Sequence, residues 1–168
     1  CLVGSEMCIR DRAMIELYRG DAKRIQHFCK VHSYAKLIAE TENVNKECLF
    51  IIEAAALTHD IGIHFCEEKY GNCNGKLQEK EGPAIAEKML KELGFDQDVS
   101  DRVQYLIAHH HTYNNIDEID YQILVEADFL VNIMEDGLSK EVALKAYESI
   151  FKTTCGKMIC REMFDFCS

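Results

Sequence analysis

Apolar residues in this chain recur at three- and four-residue spacing nearly everywhere, and that period predicts helices. From Asp21, the segment DAKRIQHFCKVHSYAKLIAETE puts Phe28, Val31, Ala35 and Ile38 on one face, and TENVN breaks it. KECLFIIEAAALTHDIG is apolar all round, as a buried central helix is, with Gly62 placed to end it. The stretch Phe65–Lys80 is polar and rich in Gly and Asn, and reads as a loop of about 15 residues. EGPAIAEKMLKELG predicts a helix that starts at Glu81, with Pro83 at its first position and Gly94 closing it. Asp96 or Asp98 can cap DVSDRVQYLIAHHH, and HTYNNIDEI is a loop. Asp120 then caps the nearly all-apolar YQILVEADFLVNIMED, Ser139 caps KEVALKAYESIFK, and a short C-terminal helix follows. The expectation is an all-α bundle of six to seven helices.

Composition narrows the picture. The chain has 168 residues, enough for one domain with a sizeable core. With 48% hydrophobic and 29% charged residues it has a globular mix rather than a disordered one. The net charge of -10 disfavours nonspecific binding to nucleic acid. No apolar run reaches the roughly 18 residues of a membrane helix. Nine cysteines, an odd number without a CxxC pair, fit buried free thiols in a reducing cytoplasm better than a disulfide scaffold. Residues 1–13 open with CLVGSEMCIRDR, which resembles translated adapter sequence. The expectation is a non-native extension there, Met14 as the natural start, and one domain over 14–168; a genuine N-terminal extension is the alternative.

Five of the seven histidines fall at the ends or on the faces of apolar helices, while His32 and His64 look incidental. His59-Asp60 ends the most apolar helix. An ionisable pair there must be paired, bind a metal, or answer the helix dipole. Asp128 lies in ILVEADFLVNI between apolar neighbours and needs a cation: a metal, or a Lys or Arg. His27 shares a flank with Val31, Tyr34 and Ile38, as a satisfied core histidine also could. His110 lies one turn beyond the core-facing Ile107, and His109 and His111 project elsewhere.

The order H…HD…E…HH…D on successive helices resembles the HD-domain superfamily of metal-dependent phosphohydrolases. The likeness spans residues 23–135 and rests on QHFCKVHSYA, THDIG and EADFLVNI, with LIAHHHTY and EGPAIAEKML as weaker matches. It implies His27, His59, Asp60 and Asp128 as ligands of a divalent ion. It also implies a possible second metal near His110, His111 and Glu81, where Glu81 stands at a position the two-metal branches fill with His. Imidazoles and carboxylates without thiolate suit Mn, Fe, Co, Ni or Zn, one or two ions per chain. Asp60 becomes the candidate catalytic residue, orienting a water. Lys69, Lys76, Glu67 and Glu68 follow the HD pair and are candidate substrate contacts, Lys69 first, unless they are simply a solvated face.

The function implied is hydrolysis of a phosphoester or phosphoanhydride in a small phosphorylated metabolite, a nucleotide foremost. The implied setting is cytoplasmic, with no membrane partner and with room for a homo-oligomer. The rival functions are an HD-type di-iron oxygenase and a non-catalytic metal- or nucleotide-binding module.

Overall fold

The computed structural model describes residues 11–166. It is all-helical across them, without a strand among the described residues. Helical turns at 11–17 are followed by eight helices. These are α1 (Ala22–Thr41), α2 (Lys46–Thr58), α3 (Ile63–Tyr70), α4 (Gly75–Glu92), α5 (Gln97–Ile107), α6 (Ile119–Glu135), α7 (Lys140–Ser149) and α8 (Thr154–Phe164). Residues 1–10 lie outside the described residues, and with them most of the proposed extension. Met14 and Tyr18, just after it, are fully buried.

α1, α2 and α6 pack against one another and form the centre of the molecule. α5 leans on α2 and carries α4 on its outer side, and α8 closes the other flank against α6 and α1. The reason lies in the sequence. α6 buries twelve of its seventeen residues, and α2 buries everything from Ile52 to Thr58. Helices apolar on most of their surface can only be interior ones. α1 turns Phe28, Val31, Ala35 and Ile38 inward, the face expected of it.

The helix count exceeds the expected six to seven because α3 falls in the presumed loop 65–80. α3 buries only Ile63 and Cys66, so it has no apolar stripe to betray it. The true connection is 71–74: Gly71 turns left-handed at φ 70°, and the Asn74 side chain accepts from the Leu77 backbone N–H to start α4. Glu81 and Pro83 are therefore inside α4, not at its start. A proline there removes one donor and crowds the residue before it, and Gly82, lacking a Cβ, relieves that crowding.

Gly62 also departs from expectation. Its φ of −80° is ordinary, so it is no left-handed helix stop. It is small because α3 and α4 cross there: a Cβ on Gly62 would stand 3.1 Å from the Gly82 Cα. A Cβ on Gly82 would in turn stand 2.9 Å from Ile107 Cγ2. Asp120 does not cap α6 either; Glu118 holds that position, and Asp120 accepts from Arg102 at 2.6 Å.

Lys46–Tyr70 has the length of a membrane crossing, and its most apolar window has a mean hydropathy of 1.4, which the run-length count did not anticipate. It is two helices, α2 and α3, broken by a turn at 59–62, and α2 packs between α1, α5 and α6. Six cysteines among the described residues are free thiols, three of them buried.

Candidate metal centre

Four elements deliver side chains to one point. α1 supplies His27 from mid-helix, the end of α2 supplies His59 and Asp60, the end of α5 supplies His110 and His111, and α6 supplies Asp128. His27 Nε2 lies 3.3 Å from His59 Nε2, 3.3 Å from Asp128 Oδ1 and 3.4 Å from Asp60 Oδ2. His59 Nε2 lies 3.5 Å from both carboxylates, and His110 Nε2 is 3.7 Å from Asp60 Oδ1. His27, His59, His110 and Asp128 are all buried, and Asp60 is partly so.

The other ring nitrogens determine what this cluster can hold. His59 Nδ1 faces the Ala56 carbonyl at 2.8 Å, and His110 Nδ1 faces the Ile107 carbonyl at 2.7 Å. His27 Nδ1 faces Glu135 Oε2 at 3.0 Å. Each of these partners only accepts, so in the neutral ring the proton belongs on Nδ1 and Nε2 presents a lone pair. Three lone pairs then converge on two carboxylates, acceptors facing acceptors. His110 Nε2 is buried with no hydrogen-bond partner among the described residues. Such a nest requires positive charge, supplied by protons or by a metal ion.

The electrostatics agree. Burial opposes charge on every one of these groups, yet the opposite charges outweigh it. The bond to Asp128 and the charge of Asp60 raise His27 and His59 above the ordinary histidine range. The imidazoles in turn hold Asp60 and Asp128 below the usual carboxylate range. His111 moves the other way, down to about 4, through burial and the neighbouring His110.

Among the described residues, two triads have ligand atoms close enough to share an ion: His27, His59 and Asp60, and Asp60, His110 and His111. Asp60 belongs to both, and Asp128 joins the first through its contacts with both histidines. His111, expected to project elsewhere, is brought in. Its ring lies 4.0 Å from that of His110, and Nε2 meets Gln78 Oε1 at 3.0 Å. Gly75 makes room for it, because a Cβ there would stand 2.8 Å from the ring.

Glu81 is not in either triad. It accepts from the Tyr70 hydroxyl at 2.5 Å and from Lys69 at 3.4 Å. Lys69, the expected substrate contact, pairs with Glu81 and does not line the cavity at the centre. Lys76 and Glu68 are exposed, and Glu67 pairs with Arg24 at 2.6 Å. The open mouth of the centre lies elsewhere. A cavity of about 240 Å³ is lined by Lys23, Arg24, His27, Asp60, Ile63, Asn132, Glu135 and Asp136. A larger apolar hollow of about 690 Å³, around Leu49, Phe50 and Val99, shares none of these residues.

Sequence reasoning missed Lys23, Arg24, Asn132 and Glu135. Helical spacing could have found two of them. Arg24 is one turn before His27, and Glu135 is two turns after Asp128 on the same face.

A family profile described as the HD domain matches residues 24–146. Among solved structures, the chain is similar to a predicted HD superfamily hydrolase from an uncultured Thermotogales bacterium. That match has a TM-score of 0.65 and 24% identity, and covers 96% of this chain and 85% of the other. At that identity it speaks for the fold. No curated protein sequence matches the chain.

Proposed function

The chain belongs to the HD-domain family, and from that premise we propose that it is a metal-dependent phosphohydrolase acting on a small phosphorylated metabolite, with nucleotides the first class to test. The observation that carries the proposal is the convergence of three imidazole Nε2 atoms on Asp60 and Asp128, with His110 Nε2 left without a partner. His27, His59, Asp60 and Asp128 would hold a divalent ion, and His110 and His111 would hold a second one through Asp60. When bound, such an ion supplies Lewis acidity and a more acidic water.

The protein's own groups supply the rest. Arg24 and Lys23 line the mouth, and among the described residues no other lysine or arginine does. Arg24 offers a planar fork of donors to phosphate oxygens, and Lys23 a mobile point charge. Asp21 and Glu67 hold the Arg24 guanidinium at 2.5 and 2.6 Å, so its aim is fixed before substrate arrives. Asp60 is the candidate catalytic group. Of the carboxylates that line the cavity it is the one in both metal-ligand triads, placed to accept a hydrogen bond from an attacking water and orient it. Burial around His59 and Asp128 keeps bulk water from screening these charges.

The nucleotide class has one specific support. Tyr113 is 40% exposed, packs edge-on against Phe129 at 5.0 Å, and lies close enough to Asp128 to feel its charge. It is an aromatic face near the centre on which a base can stack.

The test is phosphate release by purified protein, with each of Mn²⁺, Fe²⁺, Co²⁺, Ni²⁺ and Zn²⁺. The panel comprises nucleoside mono-, di- and triphosphates, cyclic dinucleotides, dinucleoside polyphosphates and sugar phosphates. Turnover of a nucleotide that is lost in Asp60→Asn and weakened in Arg24→Ala supports the proposal. Turnover confined to sugar phosphates removes the nucleotide part, and no turnover with any metal removes the whole.

A further inference from the structure

Of the histidines of the centre, His27, His59 and His110 are not held in the same way. His59 and His110 each place Nδ1 on a carbonyl of their own helix three residues back, Ala56 and Ile107. Both sit at helix ends, where carbonyls are released from the helical ladder. His27 is inside the twenty-residue α1, where the local carbonyls are already taken. Its Nδ1 partner must come from elsewhere, and it comes from α6: Glu135 Oε2 accepts from it at 3.0 Å across 108 residues of chain. The other Glu135 oxygen accepts from Lys30 Nζ at 3.0 Å, one turn along α1 from His27.

We propose that Glu135 is a positioning residue for the metal centre, fixing the tautomer and ring orientation of His27 so that its Nε2 faces Asp60 and Asp128. α6 then contributes twice from one face: Asp128 directly, and Glu135, two turns on, through His27. A carboxylate behind a ligating imidazole also makes the ligand more basic, which backbone carbonyls do less strongly. Lys30 holds the carboxylate in place and is half exposed, so it contributes orientation more than energy. Glu135 also borders the cavity, which puts this support where substrate enters. This inference rests on the metal-binding reading above.

Cobalt binding tests it without reference to activity. Metal-free wild type, Glu135→Ala, Glu135→Gln and Lys30→Ala are titrated with Co²⁺ against a chelator, and the visible absorption of bound cobalt is followed. Their metal-free melting temperatures are measured alongside. Glu135→Ala should weaken cobalt binding about 10- to 100-fold, the usual loss for such a partner, and change the cobalt spectrum. Glu135→Gln, whose amide oxygen can still accept from Nδ1, should recover part of that loss. Lys30→Ala should lose only a few-fold. The metal-free melting temperatures should match wild type. If wild type binds cobalt and Glu135→Ala binds it equally well, the inference is overturned and the metal reading stands. If the affinity of both Glu135 variants falls only in step with their metal-free melting temperatures, Glu135 is structural and the inference is likewise overturned. If wild type itself takes up no cobalt, the metal reading fails and this inference with it.

Discussion

The Tyr18 hydroxyl donates a 2.7 Å hydrogen bond to the backbone carbonyl of Asp60. Tyr18 is 1% exposed, with its ring 4.3 Å from His64, so the bond is made in a dry, packed setting. It ties the segment before α1 to the turn that carries the HD pair. The Ile63 N–H also reaches this carbonyl, at 3.1 Å, so removing the hydroxyl does not orphan it. Tyr18→Phe should therefore cost about 0.5–1.5 kcal/mol, the net worth of one hydrogen bond. Thermal unfolding measures that, and cobalt affinity should fall with it as the turn loosens. An unchanged melting temperature would show that the bond does not stabilise the turn.

Asp21 makes the acid limb of stability measurable. Burial works against its charge, but hydrogen bonds from the Arg24 side chain and backbone, and from His64, bring its carboxyl from 3.8 down to about 2. A carboxyl lowered on folding contributes stability above its unfolded pKa and loses it as pH falls through the folded value. The contribution of Asp21 is thus intact above about pH 4 and fades between about 4 and 2. Asp21→Asn keeps an oxygen for the Arg24 N–H, so the cap survives while the charge goes. In chelator, the variant should be less stable than wild type at pH 6, and the gap should close by pH 2. A gap that stays constant over that range would assign the effect to something other than this charge.

These residues also show how much of the molecule could be read from the chain. α1, α2 and α6 were legible because burial imposes period and composition, and His27, His59, Asp60 and Asp128 stood out as ionisable groups on those apolar helices. α3 was not legible. It is an exposed helix held by Ile63, Cys66 and its two end turns, and nothing in an apolar pattern marks such an element. With that stretch read as loop, Lys69 stood as a free substrate contact; it lies on α3, and its Nζ sits 3.4 Å from Glu81 on α4. The pairings of Glu135 and Tyr18 were not legible for another reason, although helical spacing puts Glu135 itself on the face of Asp128. Their partners are 108 and 42 residues away, and only the tertiary fold brings them within reach.

Glu126 is a buried carboxylate that serves the fold. Its Oε1 accepts from the Lys152 and Thr153 N–H groups at 2.5 and 2.9 Å and from Gln122 Nε2 at 2.7 Å, while Oε2 accepts from the Thr153 hydroxyl at 2.5 Å. It fastens the entry of α8 to α6, and Gly156 lies directly against it. Glu126→Ala strands buried donors and should cost roughly 2–4 kcal/mol, whereas Glu126→Gln keeps an acceptor and should cost about half that. Denaturant unfolding provides the comparison. Equal losses in the two variants would mean that packing around the side chain, and not its oxygens, is what matters.

His110 and Asp60 decide how many ions the centre takes. Asp60 belongs to both triads, so Asp60→Asn should reduce bound metal whether the centre holds one ion or two. His110 belongs only to the second, so His110→Leu should remove one equivalent from a two-ion centre and nothing from a one-ion centre. Elemental analysis of protein prepared with excess Mn²⁺ or Co²⁺ gives the count. Stability gives a second, independent readout. In the metal-free protein, His110 Nε2 is buried without a partner, a state that costs about 1–3 kcal/mol. Leucine at 110 removes that cost and, with it, the Nδ1 bond to the Ile107 carbonyl, so the metal-free variant should melt close to the wild-type temperature. Metal should then raise the melting temperature of wild type more than that of the variant, because only wild type gains a partner for this nitrogen. The two-ion arrangement predicts both outcomes together. If the variant keeps the same metal count and the same metal-induced rise, His110 is a core histidine and the centre holds its ion through His27, His59, Asp60 and Asp128 alone.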